Sequence, residues 1–316
     1  MVAVGVHCVH LCSSVVSFCA ICGGVGAKMR GLSDLVGKLC EASVQDFYSP
    51  YAGLDWPEKL EDDAWYFSPE LISLFGSEAY AHLDAQGQKR LSFHETVNFF
   101  SLNIHGERSL IEGLAYRLYR KGNDDYTRYL HHFLDEENKH MVYFGTFCVR
   151  YAAKVYPDKK MVLPRDYAPG EEDFLFFAKV LIFEEIVDVY NKRMAADPRL
   201  HPIAREINRL HHRDESRHLA FGRRLVKELF DRHSPGWAPE VLSGVREYLG
   251  DYIRSTWQEY YNPAVYKDAG LPNPYDVQKE ALSLPSCRSR HEQVSRPWLT
   301  MLLRQGILTE DPYHDD

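Results

Sequence analysis

Two short stretches decide the reading of this chain: Asp135-Glu136-Glu137-Asn138-Lys139-His140 and His211-His212-Arg213-Asp214-Glu215-Ser216-Arg217-His218. In each, a glutamate stands three residues before a histidine: Glu137 before His140, and Glu215 before His218. On a helix, residues i and i+3 project from one face, so each pair holds a carboxylate and an imidazole one turn apart. His211 lies one turn before Glu215. At about 100° per residue its side chain, with those of Glu215 and His218, falls within roughly a 60° arc.

Outward from these stretches, the chain reads as helix from about Leu91 to about Phe230. Proline is absent from Leu91 to Val155, and apolar residues such as Phe99, Leu102, Leu110 and Leu114 recur at helical spacing. A stop followed by a capping signal at Gly122-Asn123-Asp124-Asp125 predicts one helix from about Ser92 to Lys121 and a second from Asp124 to Tyr156. Pro157, Pro164 and Pro169-Gly170 mark a loop. A third helix is predicted over Glu171 to Ala196, and a fourth over Pro202 to His233 after the breaks at Asp197-Pro198 and His201-Pro202. Four long helices joined by turns or short loops are the elements of an antiparallel bundle. One or two further helices follow, at about Pro239 to Tyr261 and Ser289 to Arg304. About Leu32 to Gln86 reads as a loop-rich aromatic lead-in with a few short helices. The fold class is therefore all-α, a four-helix bundle with additional flanking helices and a core at about residues 91–233.

A carboxylate oxygen and an imidazole nitrogen one turn apart form a chelating pair for a first-row metal. Two such pairs on facing helices can hold two metals, with one carboxylate expected from each remaining helix. Glu107 precedes Glu137 by 30 residues and Glu184 precedes Glu215 by 31, as two helical hairpins of nearly equal length would place them. Glu184 follows an apolar run from Phe174 to Phe183 interrupted only by Lys179. A carboxylate buried there is costly unless paired or bound to a cation. Measured from Lys179, Glu184 and Glu185 fall on either side of the inward direction, so periodicity leaves both open, while the equal-hairpin spacing points to Glu184. Asp214 and Asp188 are candidates for acceptors that orient the imidazoles.

Composition narrows the alternatives. The 316 residues are 45% hydrophobic and 26% charged, with a formal net charge of −8, so the composition is globular and a broad nucleic-acid-binding face is excluded. Four of the seven cysteines (Cys8, Cys12, Cys19, Cys22) crowd the first 22 residues, and Cys40, Cys148 and Cys287 are scattered. That is no disulfide framework, and it points to a reducing cytoplasm. Residues 1–28 form an apolar extension with no charge before Lys28. It lacks the basic start of a secretory signal, and glycines dilute it as a membrane helix. The expectation is a protein outside the membrane whose natural start is near Met29, with residues 29–316 as one domain.

The motif His211-x-x-x-Glu215-x-x-His218 beside Glu137-x-x-His140 resembles the AurF-like p-aminobenzoate N-oxygenase family of non-haem di-iron oxygenases, over about Ser92 to Phe230. The resemblance implies a ferritin-like fold for the bundle, and that Glu107, Glu137, His140, Glu184, His211, Glu215 and His218 bind two iron ions. It also implies that the reduced cluster activates O2 through a peroxo-type diferric species and oxygenates a small-molecule substrate, in the founding members an arylamine nitrogen. Neither flavin nor nicotinamide fingerprint is visible, so electrons are expected from an external donor, a ferredoxin or reductase. The resemblance also suggests a homodimer. Manganese in one position, hydroxylation at carbon, and a ferritin-like iron-handling or oxidase role are the competing readings; the third imidazole, His211, favours the oxygenase over iron storage.

Overall fold

A computed structural model of the chain describes residues 31–158 and 166–313. The apolar extension, its four cysteines and Met29 lie outside the described residues. Ten α-helices are seen among the described residues: α1 (Leu32–Gln45), α2 (Glu78–Ala81), α3 (Ala85–Arg117), α4 (Thr127–Phe147), α5 (Glu171–Ala196), α6 (Pro202–His233), α7 (Pro239–Glu259), α8 (Pro263–Asp268), α9 (Pro274–Ser283) and α10 (Pro285–Arg304). No strand occurs among the described residues.

The helices α3 to α6 are the four expected bundle elements. α3 packs along α4 and α5 along α6, and the two hairpins meet through α3–α5 and α4–α6 contacts. The bounds of α5 and α6 coincide with the reading of their stop signals. Gly170 takes a left-handed φ of 76° ahead of α5, and Glu171, Glu172 and Asp173 fill its first turn, where negative charge complements the helix dipole. Pro202 begins α6, the His201 side chain accepts from the Ile203 N–H, and Arg232 and His233 sit in the last turn.

Four elements depart from the sequence reading. α3 starts earlier, where the Asp84 side chain accepts from the Gly87 N–H at 2.7 Å, and ends at Arg117 rather than Lys121 because Leu118 is extended and Tyr119 turns to φ 58°. Buried Arg117 reaches Asp173 at 2.9 Å, which ties the end of α3 to the start of α5. α4 starts at Thr127 and ends at Phe147, after which a π-helical turn (Cys148–Ala152) and left-handed Ala153 replace the expected continuation to Tyr156. Towards the C-terminus, α8 and α9 add two short helices that the sequence pattern did not mark.

Aromatic side chains fill the bundle end around Phe99, Phe100, Phe144 and Phe147, with the Phe100 and Phe144 rings 4.8 Å apart. Cys40, Cys148 and Cys287 are buried free thiols. No helix among the described residues is long and apolar enough to cross a membrane.

Candidate metal centre

All seven residues singled out in the sequence arrive at one place. Glu107 comes from α3, Glu137 and His140 from α4, Glu184 from α5, and His211, Glu215 and His218 from α6; all are buried, none more than 2% exposed. Their donor atoms form three overlapping groups, each within 4.8 Å: Glu107, His140, His211 and Glu215; Glu137, Glu215 and His218; and Glu107, Glu137, Glu184 and Glu215. Two groups thus have carboxylates with one or two imidazoles; the third is all carboxylate, joining Glu184 to Glu107, Glu137 and Glu215, and Glu215 belongs to all three. On α5 it is Glu184 that faces the cluster, whereas Glu185 turns to Arg223, which donates to both its oxygens at 2.5 and 2.8 Å.

The imidazoles present different nitrogens. His140 turns Nδ1 towards Glu137 (3.0 Å), Glu215 (3.5 Å) and Glu107 (3.6 Å). His218 turns Nδ1 towards Glu137 (2.9 Å) and Glu215 (3.1 Å). His211 turns Nε2 towards Glu215 (3.0 Å) and Glu107 (3.3 Å), while its Nδ1 lies 2.6 Å from the Asn191 side-chain amide. The outward nitrogens of the other two are held by carboxylates that cross between helices. His218 Nε2 lies 2.8 Å from Glu136 of α4, and His140 Nε2 lies 3.4 Å from Asp214 of α6. Asp214 therefore has the orienting role read from the sequence. Asp188 does not: it pairs with His212 at 2.5 Å, outside the cluster. Glu136 and Asn191 escaped the sequence reading, although Glu136 precedes one Glu-x-x-His pair as Asp214 precedes the other.

The electrostatics describe a site built around positive charge. Burial, then the charges of Glu107, Glu215 and Glu184, drive the Glu137 carboxyl well above the ordinary glutamate range. Burial, then Glu215 and Glu107, do the same to Glu184. Burial raises Glu107, but the neighbouring Glu137, His140 and His211 groups outweigh it and bring it down to about 2. Burial also opposes ionisation of Glu215, yet the charges of His218 and His211 carry it well below the usual value. Burial lowers His140 and His218, and their carboxylate neighbours reverse this and push both up to about 9. Both Glu107 oxygens, Glu137 Oε1, Glu184 Oε2, Glu215 Oε2 and His211 Nε2 are buried without hydrogen-bond partners. Orphaned buried acceptors are costly, and cations satisfy them together; four carboxylates and three imidazoles fit a pair of first-row divalent ions.

A cavity of about 560 Å³ opens between α3 and α5 and reaches Glu184. Leu102, Gly106, Leu110, Val180 and Phe183 supply its apolar wall, and His105 and Lys179 its basic groups. Gly106 and Gly113 shape it, because a Cβ on either would strike Phe183 or Phe176, at 2.6 and 2.0 Å.

The sequence model of P-aminobenzoate N-oxygenase AurF matches residues 31–306, most of the chain. Two mycobacterial proteins described only as uncharacterized, from Mycobacterium tuberculosis and Mycobacterium bovis, are each 24% identical over 257 residues, spanning 78% of this chain and 73% of their own. Among solved structures, an R2-like ligand-binding oxidase with a Mn/Fe cofactor aligns over 89% of this chain and 94% of its own at 14% identity and a TM-score of 0.42. A buried carboxylate–histidine cluster at the centre of a four-helix bundle, matched by a sequence model over nearly its whole length, gives the assignment: this chain belongs to the AurF p-aminobenzoate N-oxygenase family, as a di-metal oxygenase or oxidase.

Proposed function

We propose that Glu107, Glu137, His140, Glu184, His211, Glu215 and His218 hold two iron ions, or iron with manganese in one position, and that the protein N-oxygenates a small amine of arylamine type. The observation that carries this reading is the convergence of orphaned carboxylate and imidazole donors at the inner end of an apolar-walled cavity. When bound, such a centre supplies the reductive activation of O2.

Everything else falls to the chain itself. Imidazoles hold the reduced ions without adding negative charge, and carboxylates balance the charge of the oxidised ions. Fully buried helix faces keep bulk water from the cluster. The cavity between α3 and α5 delivers a flat substrate to the Glu184 side, with Leu102, Leu110, Val180 and Phe183 packing against it. Electrons come from an external ferredoxin or reductase.

The test is metal analysis of protein expressed with added iron, followed by reduction, rapid mixing with O2 under optical detection, and a screen of arylamines. About two irons per chain, a transient visible absorption and an N-oxygenated product support the reading. Iron that accumulates as a mineral would point instead to storage, and absence of bound metal would remove the reading altogether.

A further inference from the structure

The two Glu-x-x-His stretches share more than their ligands. Each has an acid before the glutamate, Glu136 and Asp214, and a base before the histidine, Lys139 and Arg217. The two bases behave differently. Lys139 reaches back along its own helix to Asp135 at 2.6 Å and lies over the Phe47 ring. Arg217, only 3% exposed, turns inward between α4 and α6. Its Nη2 donates to Glu136 Oε1 and to Asp214 Oδ1, both at 2.7 Å, and its Nη1 donates to Asp46, at the end of α1, at 3.0 Å. The other oxygen of Glu136 faces His218, and the other oxygen of Asp214 faces His140. One guanidinium therefore stands behind both carboxylates that orient both Nδ1-facing imidazoles.

We propose that Arg217 is a positioning residue for the metal centre, clamping Glu136 and Asp214 so that His140 and His218 present Nδ1 to the two ions together. This rests on the di-metal reading above. The two N–H bonds of the planar Nη2 have fixed directions, so this one nitrogen anchors carboxylates from two different helices at once. An ammonium is a point charge and cannot fix both directions together. Lys139, equally buried, pairs instead with Asp135 on its own helix and stands behind neither carboxylate.

The experiment is an anaerobic competition titration of the full-length apoprotein with Fe(II) against a chromophoric chelator, with far-ultraviolet circular dichroism confirming that each variant is folded. Loss of partners that orient metal ligands weakens binding about 10- to 100-fold, so Arg217→Met is expected in that range and Arg217→Lys near its lower end. Because Arg217 acts through Glu136, adding Arg217→Met to a Glu136→Gln protein should cost less than it does in the wild type. A purely structural arginine would give independent, multiplying losses in that double variant, or wild-type affinity in the folded single variants, and either result overturns the proposal. Should Arg217→Met fail to fold, Arg217→Lys with wild-type affinity would overturn it equally. A wild-type protein that binds no Fe(II) would instead bring down the metal-centre reading, and this inference with it.

Discussion

Gly106 offers the sharpest test of how the fold sets the site. It lies on α3 between His105 and Glu107, and a Cβ there would sit 2.6 Å from Phe183 Cε1 and 2.9 Å from Cζ. Carbon atoms in contact rest about 3.5–4.0 Å apart, so in Gly106→Ala the ring must retreat by about 1 Å. Phe183 immediately precedes Glu184, and the retreat therefore pulls on a cluster carboxylate while narrowing the cavity. Overpacking of this kind costs about 1–3 kcal/mol, and alanine returns about 1 kcal/mol of helix propensity. The net destabilisation is about 0–2 kcal/mol, less than about 8 °C in melting temperature at roughly 2–4 °C per kcal/mol. Misplacing a group by about 1 Å can cost roughly a hundredfold in rate. The expected result is a folded protein that still binds two ions but turns over roughly 10- to 100-fold more slowly. Gly145→Ala is the control, since nothing lies within 4 Å of its added Cβ. Thermal melts, metal analysis and single-turnover mixing with O2 decide the matter. A Gly106→Ala protein with unchanged turnover would show that Phe183 rotates aside freely and that this contact does not set the spacing of α3 and α5.

Further outcomes follow from the same geometry. Glu184→Gln should lower the metal content, whereas Glu185→Gln should leave it unchanged and cost about 1 kcal/mol at the half-exposed Arg223 pair; equal metal loss in both would undo the register assigned to α5. His211→Ala should keep the helical fold but lower metal content or oxygen reactivity, and Glu137→Ala should prevent the cluster from assembling. Wild-type occupancy and turnover in either variant would contradict the ligand set. In metal-stripped protein, His140 and His218 are raised to about 9, so the fold gains stability from their protons below the ordinary histidine value, about 6.5. That gain is lost as pH rises through about 9, in the same direction as the raised Glu137 and Glu184. Denaturant midpoints should fall across this window, and added Fe(II), which displaces those protons, should restore them; a midpoint of the stripped protein that rose with pH would refute the assignment.

The bundle was legible where local chemistry stops a helix. Pro169-Gly170, Asp197-Pro198 and Pro202 bound α5 and α6 to the residue, because proline and a left-handed glycine act without help from the tertiary fold. The ends of α3 and α4 carry no such mark. Tyr119 turns to positive φ without a glycine, and the π turn at Cys148 to Ala152 lies in a stretch free of proline and glycine. The cluster residues were legible because they repeat at i, i+3 and at hairpin spacing. Their orienting partners were harder: Glu136 reads as one more charge on a solvated face until α6 brings His218 within 2.8 Å. Asp188 shows the converse, since its partner proves to be His212 rather than a cluster histidine. Which of Glu184 and Glu185 turns inward was beyond periodicity and is decided by Arg223 on a neighbouring helix.

The two sides of the cluster are built for different purposes. On the α4–α6 side, His140 and His218 are backed by Asp214 and Glu136, and those by Arg217, with every member of the chain buried. On the α3–α5 side the cavity ends at Glu184, whose Oε2 has no hydrogen-bond partner. A carboxylate without a fixed partner can move between binding modes at little cost, whereas an imidazole gripped through its second nitrogen cannot. On the proposed di-metal reading, adjustment of the site would fall to Glu184, on the cavity side, while the histidines would hold the ions. The small residues Gly106 and Gly113 belong to this division. They let Phe183 and Phe176 lie against the backbone of α3, so that the helix carrying Glu107 and the helix carrying Glu184 approach closely and still leave a cavity between them.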